Sequence, residues 1–377
     1  METPFVFGKL AVENNFTNRD EERQRLIQNF KSQVNTILIS PRRWGKSSLV
    51  KQAAIEATQS DKKLHVVFLD VYNIRTEEEF YQSLAREVLK ATASKFEVLV
   101  DNAKKFMGRF LPNISFNADN QNDISLTLDW KEVKKDPTDI LNMAENIAIE
   151  KGWKFVICID EFQNISTFEN PLAFQKKLRA NWQKHQQTAY CLYGSKRHMM
   201  IDVFASSSMP FYKFGDIILL EKIKKENWIP FIIGRFDNTQ KKITEENAAL
   251  IADLSECHPY YVQQLAQQSW FRTEKECSAE DIRKAHQGIL DQLSLLFQSK
   301  TDELTNPQVN FLKALIHGVE KFSSKETLEE YKIGTSANVV RVKKTLINKE
   351  IIDIHKGNIS LLDPMYKHWL QKDFFKI

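Results

Sequence analysis

Ser40-Pro41-Arg42-Arg43-Trp44-Gly45-Lys46-Ser47-Ser48 follows directly on the apolar run Thr36-Ile37-Leu38-Ile39 and leads into Leu49, Val50 and Ala53, where a helical pattern begins. A short buried-type strand, a glycine-containing turn and a helix, in that order, predict a phosphate-binding loop. The pattern G-x-x-x-x-G-K-[ST] is met everywhere except its first position, where Ser40 stands for glycine. The chemistry asks for backbone N–H groups converging on phosphates at a helix N-terminus, a lysine charge on those phosphates and a hydroxyl on Mg2+. Gly45, Lys46 and Ser47 supply these, and Pro41, Arg42, Arg43, Trp44 and Ser48 complete the cradle. Ser40 is expected to restrict the turn, because glycine bends there without steric penalty.

Such a loop needs a carboxylate from a neighbouring strand. Phe155-Val156-Ile157-Cys158-Ile159-Asp160-Glu161 offers five apolar residues and then two acids at the strand's C-terminal end, the edge where open α/β sheets bind ligands. Alone, the two acids would read as a solvated strand end or a helix cap. Paired with the upstream loop, Asp160 reads as the Mg2+ carboxylate, acting through water, and Glu161 as the residue that orients or deprotonates an attacking water.

Strands are expected at His65–Val71, Ala189–Ser195 and Ile217–Leu220 as well, with helices at about Glu77–Ala91, Pro137–Lys151 and Leu172–Lys184. That alternation predicts an α/β P-loop NTPase core with a mainly parallel sheet and helices on both faces. An inserted hairpin is expected at about 113–129, around Asp119-Asn120-Gln121-Asn122. The pattern then turns helical from Glu226 to Phe297, a helical lid region. Beyond Thr301, helices at Pro307–His317, Ser324–Tyr331 and Ser336–Lys349 precede two short strands around His355-Lys356-Gly357-Asn358, a winged-helix layout. The expected domains are 1–222, 223–299 and 300–377.

The chain has 377 residues, with 53 Lys+Arg against 49 Asp+Glu for a net charge of +4. This is length for two or three domains, and 42% hydrophobic with 27% charged residues excludes wholesale disorder. The longest apolar runs fall far short of the ~20 residues of a membrane helix, and no basic n-region precedes an apolar stretch at the N-terminus. A cytoplasmic protein without a membrane partner is expected. Cys158, Cys191, Cys257 and Cys277 form no Cys-x-x-Cys pair, and the eight histidines show no ligand spacing, which argues against a disulfide framework or structural zinc. The segment 301–377 holds 12 Lys+Arg and 10 Asp+Glu. Arg341, Lys343 and Lys344 on its candidate recognition helix suit phosphate contacts, and Ser336 or Asn338 could reach base edges. The acidic Lys325–Glu330 stretch before it suits a protein contact instead, so duplex DNA and a protein both stand as partners.

The sequence resembles an AAA-type ATPase of the archaeal-ATPase group, within the STAND-like P-loop branch. The resemblance rests on Phe16-Thr17-Asn18-Arg19-Asp20-Glu21-Glu22, Pro41-Arg42-Arg43-Trp44-Gly45-Lys46-Ser47-Ser48, Ile159-Asp160-Glu161-Phe162-Gln163, Leu192-Tyr193-Gly194-Ser195, Pro210-Phe211-Tyr212 and His258-Pro259-Tyr260-Tyr261. It covers nearly the whole chain, and a C-terminal winged helix is usual in the group. It implies ATP or ADP with Mg2+ as ligands, Ser195 as a polar sensor of the γ-phosphate or attacking water, and His258 in a second nucleotide-sensing turn. It further implies that Phe16 and Arg19 pack near adenine, against the plain alternative of an ordinary helix start. Cys257 stands where the group usually has glycine, and Lys213 where many members have arginine. Arg179 and Arg197 are candidates for an arginine finger, each against the plain alternative of a solvated helix or loop residue. The resemblance implies a slow or partner-stimulated ATPase working as a conformational switch, in some members as an oligomer. The alternative is a nucleotide-gated regulator or adaptor that does not hydrolyse appreciably and works through its winged helix.

Overall fold

A computed structural model describes residues 3–92, 105, 113–116, 124–127, 133, 136–204, 206–355 and 357–377. The chain divides into two compact units, residues 12–221 and residues 222–377 together with the N-terminal stretch up to residue 11.

In the first unit, strands β1 (Thr36–Ile39), β2 (Leu64–Asp70), β5 (Lys154–Asp160), β6 (Thr188–Gly194) and β7 (Asp216–Leu219) form one sheet in the order β2-β5-β6-β1-β7. Every pairing in it is parallel, with Thr36 beside both Cys191 and Asp216, Leu64 beside Lys154 and Phe155 beside Thr188. The central strands read as near-continuous apolar runs because both faces are covered. Ile37, Ile39, Phe155, Ile157, Ile159, Tyr190 and Leu192 enter the core on one face, under the helices Glu77–Thr92, Thr138–Lys151 and Pro171–Trp182. Leu38, Val156, Cys158, Ala189 and Cys191 alternate onto the other. There Leu26, Ile27 and Phe30 of the helix Asp20–Lys31 pack with Leu49, Val50 and Ala53 of the helix Lys46–Ser60.

Strand and helix bounds fall within one or two residues of those expected from periodicity. The helix Asp20–Lys31 has Asp20, Glu21 and Glu22 in its first turn and Arg19 as its N-cap, at φ 70°. Asn18 Oδ1 accepts from the Arg19 N–H at 2.6 Å. The expected hairpin is present as β3 (Asn113–Phe116) paired antiparallel with β4 (Ile124–Thr127). Its turn, with Asp119 to Asn122, lies outside the described residues.

The second unit is helical, with helices Lys225–Asp237, Glu245–Leu254, Pro259–Arg272, Ala279–Asp302, Asn306–Ile316, Lys325–Glu330, Ser336–Asn348 and Pro364–Trp369. β10 (Ile352–His355) and β11 (Asn358–Leu361) make the antiparallel wing. A two-residue parallel pair, β8 (Lys242–Ile243) with β9 (Glu276–Cys277), was not foreseen from the sequence. One hydrophobic cluster runs from Trp228 through Ile289 and Phe297 to Tyr366 and Trp369. The Thr301 and Tyr366 hydroxyls meet at 2.8 Å, and Trp369 Nε1 donates to Ser294 Oγ at 3.1 Å. Among the described residues no helix is long and apolar enough to cross a membrane.

Candidate active site

β1, β6 and β5 lie side by side, and their C-terminal ends carry Ser40, Ser195 and Asp160-Glu161 respectively. β2 is the next strand in sequence after β1 yet sits at the far edge of the sheet, so the strand order reverses at β1, and open α/β sheets bind ligands at the carboxyl ends of strands at such a reversal. The loop after β1 lies at that end. Arg43 adopts φ 62° and Gly45 φ 89°, with Gly45 capping the helix Lys46–Ser60. Left-handed backbone at both places turns the loop back on itself and leaves the first N–H groups of the helix open to an anion. No acid occupies that helix's first turn.

Ser40 is not the obstacle the pattern suggested. It is fully buried, lies outside the left-handed region, and donates its hydroxyl to the Pro41 carbonyl at 2.9 Å. The position requires a small residue with a satisfied polar group, and serine provides it. On the other side of the loop, Arg19 is buried and reaches the Trp44 carbonyl through Nη2 at 3.3 Å, while Nη1 pairs with Glu22 at 3.2 Å. Phe16 and Trp44 are both half-buried against the same core cluster. Pro41 and Ser48 are buried, and Arg42 and Arg43 are exposed.

Lys46 is 8% exposed and bridges the two carboxylates. Its Nζ is 3.1 Å from Glu161 Oε1 and 3.9 Å from Asp160 Oδ1. Ser47 donates its hydroxyl to Asp160 Oδ2 at 2.8 Å, and Asp160 Oδ1 accepts the Glu161 N–H at 2.8 Å. Glu161 Oε2 takes the Ser195 hydroxyl at 2.8 Å, the Ser195 N–H at 3.3 Å and the Gln163 amide nitrogen. Arg42 Nε reaches Ser195 Oγ at 3.4 Å.

The two acids titrate in opposite directions. Burial raises the Asp160 carboxyl above its ordinary value, and Lys46 and Ser47 only partly offset it. Burial pushes Glu161 up too, but the Lys46 charge and the hydrogen bonds from Gln163, Ser195 and Lys46 outweigh it and leave that carboxyl below its ordinary value. A hydroxyl and a desolvated carboxylate facing each other suit a small hard cation, and the donor set is oxygen only, as Mg2+ requires. Among the described residues no group of three His, Cys, Asp or Glu side chains could hold a metal.

Lys46, Ser47, Asp160, Glu161 and Ser195 are thus one hydrogen-bonded cluster, with Arg42 at its rim. His258 belongs to the other unit. It is 3% exposed and caps the helix Pro259–Arg272, after Glu256 at φ 46° and Cys257 at φ 54°. Cys257 adopts the left-handed turn that glycine would adopt freely. Arg179 lies over the Phe214 ring at 4.8 Å, and Arg197 is 9% exposed. On the winged helix, Asn338 departs from the expected base-reading role. Its amide donates to the Ile333 carbonyl at 2.6 Å and packs on Gly334, which ties it to the turn. Sequence reasoning missed Gln163 and the Arg42–Ser195 link. Both lie within quoted motifs, but side-chain reach across strands carries no linear signal.

A family model described as an ATPase domain predominantly from Archaea matches residues 16–265, and a winged-helix domain model matches residues 295–372. No protein of curated function matches the sequence. Among solved structures, a Walker-type ATPase of Pyrococcus abyssi is similar at a TM-score of 0.69 and 17% identity, over 98% of this chain and 100% of that one. The Aeropyrum pernix ORC2 protein, in ADPNP and ADP complexes, is similar at a TM-score of 0.59 and 13% identity, over 96% of this chain and 94% of that one. At these identities the likeness is one of fold.

Proposed function

The chain belongs to the family of ATPase domains found predominantly in Archaea, with a winged-helix domain following the ATPase region, and on that premise we propose that it is a Mg2+-dependent ATP-hydrolysing switch. The observation that carries the reading is the position of Lys46. Its ammonium spans Asp160 and Glu161 at the mouth of a glycine-turned loop, at the N-terminus of the helix Lys46–Ser60. An ATP tail entering there would draw Lys46 and the helix's N–H groups onto its phosphates. Ser47 and Asp160 would hold Mg2+, which supplies charge neutralisation of the phosphates. Glu161, released from Lys46, would accept the proton of the attacking water, and Ser195 beside it would register the γ-phosphate. The loop residues Pro41 to Ser48 would form the cradle, with Phe16 and Arg19 on the adenine side.

Turnover in this reading is slow in the free protein, where Lys46 is held on Glu161, and is raised by a partner at the winged helix. That same occupancy of Glu161 supports the second reading, a nucleotide-gated regulator without appreciable hydrolysis. Arg341 and Lys344 are exposed on the helix Ser336–Asn348 and suit a duplex DNA backbone, with a protein partner or self-association as the other options.

The test is nucleotide binding followed by turnover. Calorimetry should show Mg·ATP binding that Lys46→Ala weakens by at least about tenfold, the loss of a charge-assisted contact. Duplex DNA should raise phosphate release by the parent and not by Arg341→Glu/Lys344→Glu. Binding untouched by Lys46→Ala would rule out this site. DNA without effect in either protein would move the winged helix to a protein contact.

A further inference from the structure

Gln163 sits in the short 3-10 helix Phe162–Thr167 and is fully buried. Its two amide atoms are treated unequally. The nitrogen donates to Glu161 Oε2, whereas Oε1 has no hydrogen-bond partner. That oxygen lies 1.8 Å from where a Cβ on Gly194 would stand, so the amide occupies space that only glycine leaves open. A buried amide with an unsatisfied oxygen is unfavourable by itself, and its retention calls for a reason on the nitrogen side. The backbone of Glu161 is also left-handed, at φ 51°, a conformation that persists only where its surroundings hold it.

The carboxylate is divided in the same way. Oε2 receives three donors, from Gln163, the Ser195 N–H and the Ser195 hydroxyl. Oε1 receives Lys46 alone. When phosphates claim Lys46, Oε1 is released and Oε2 stays fastened.

We propose that Gln163 is a positioning residue for Glu161: it pins Oε2 against the end of β6, with Gly194 making the room, so that Oε1 is the oxygen presented to the attacking water. The inference rests on Glu161 acting on that water. Gln163 touches neither nucleotide nor water in this role and works through Glu161 alone.

The experiment is a set of full-length variants assayed for Mg·ATP binding, steady-state turnover and single-turnover rate. Gln163→Met keeps the side chain's length and loses the N–H. It should lower kcat roughly 10- to 100-fold, the usual cost of removing a group that orients a catalytic one, with nucleotide Kd and KM unchanged. Gly194→Ala, which drives the amide away from the other side, should do the same. In a Glu161→Gln background, Gln163→Met should cost nothing further in the residual single-turnover rate, because the residue it orients is already gone. A parent-like kcat for both Gln163→Met and Gly194→Ala overturns the inference, as does an equal loss in both backgrounds. If Glu161→Gln itself turns over like the parent, the reading of Glu161 fails instead, which is a separate result. Should Gln163→Met fail to bind nucleotide, Gly194→Ala carries the same comparison.

Discussion

At position 257 a cysteine holds φ 54°, directly before His258 and the helix Pro259–Arg272. An L-residue in the left-handed region costs about 1–2 kcal/mol, and glycine would return about half of that after its own unfolded-chain entropy. Cys257→Gly should therefore stabilise the nucleotide-free protein by about 0.5–1 kcal/mol, read as a higher urea midpoint at unchanged slope. An unchanged or lower midpoint would mean that the half-buried thiol contributes more packing than the turn loses. That Lys46, Ser47, Asp160 and Glu161 would come together was legible because phosphate chemistry would ask for each directly after a strand. Ser40 was misjudged because the template equates the first position with a conformational need, and here that need is small size in a buried turn. Gln163 was quoted in a motif and given no role. Its meaning depends on Gly194, 31 residues away in the chain and close only across the sheet.

Among the elements, the parallel strands were readable because burial on both faces makes them uniformly apolar, and their helices because each has one apolar stripe. The β8–β9 pair was not, since two residues per strand carry no periodicity. Nor was the join between the helices Ala279–Asp302 and Pro364–Trp369, where His286 Nε2 and His368 Nδ1 meet at 3.0 Å. Burial holds the His286 ring down to about 4, helped by the nearby His368 and Lys372 charges. Because the folded value is depressed, the fold favours the neutral ring. Its contribution is present above the ordinary value of 6.5 and is lost as pH falls from there toward 4. Over that window the parent should lose on the order of 2 kcal/mol from this group, after discounting for its partial exposure. His286→Gln should show a correspondingly shallower fall of Tm with pH. Identical pH profiles for the two proteins would mean that the ring is not buried neutral.

For the whole molecule, the order of ATPase core, helical region and winged helix was readable because each stretch has its own periodicity. How the chain gathers into units was not: the N-terminal stretch up to residue 11 belongs with residues 222–377, and one hydrophobic cluster serves both the helical region and the winged helix. Phe5, for example, is buried beside Phe231 and Phe236, more than 200 residues away in sequence. Such a union rests on long-range packing, which no local pattern encodes. The account as a whole depends on a lysine that shields two carboxylates until phosphates draw it away, and on Glu161 then handling water. The direct measurement is phosphate release at saturating Mg·ATP by the parent and Glu161→Gln, with bound nucleotide quantified in the same samples. Full occupancy in both with release reduced at least about a hundredfold in Glu161→Gln is the predicted result, the usual weight of a general base. Equal release from both proteins at equal occupancy would contradict it.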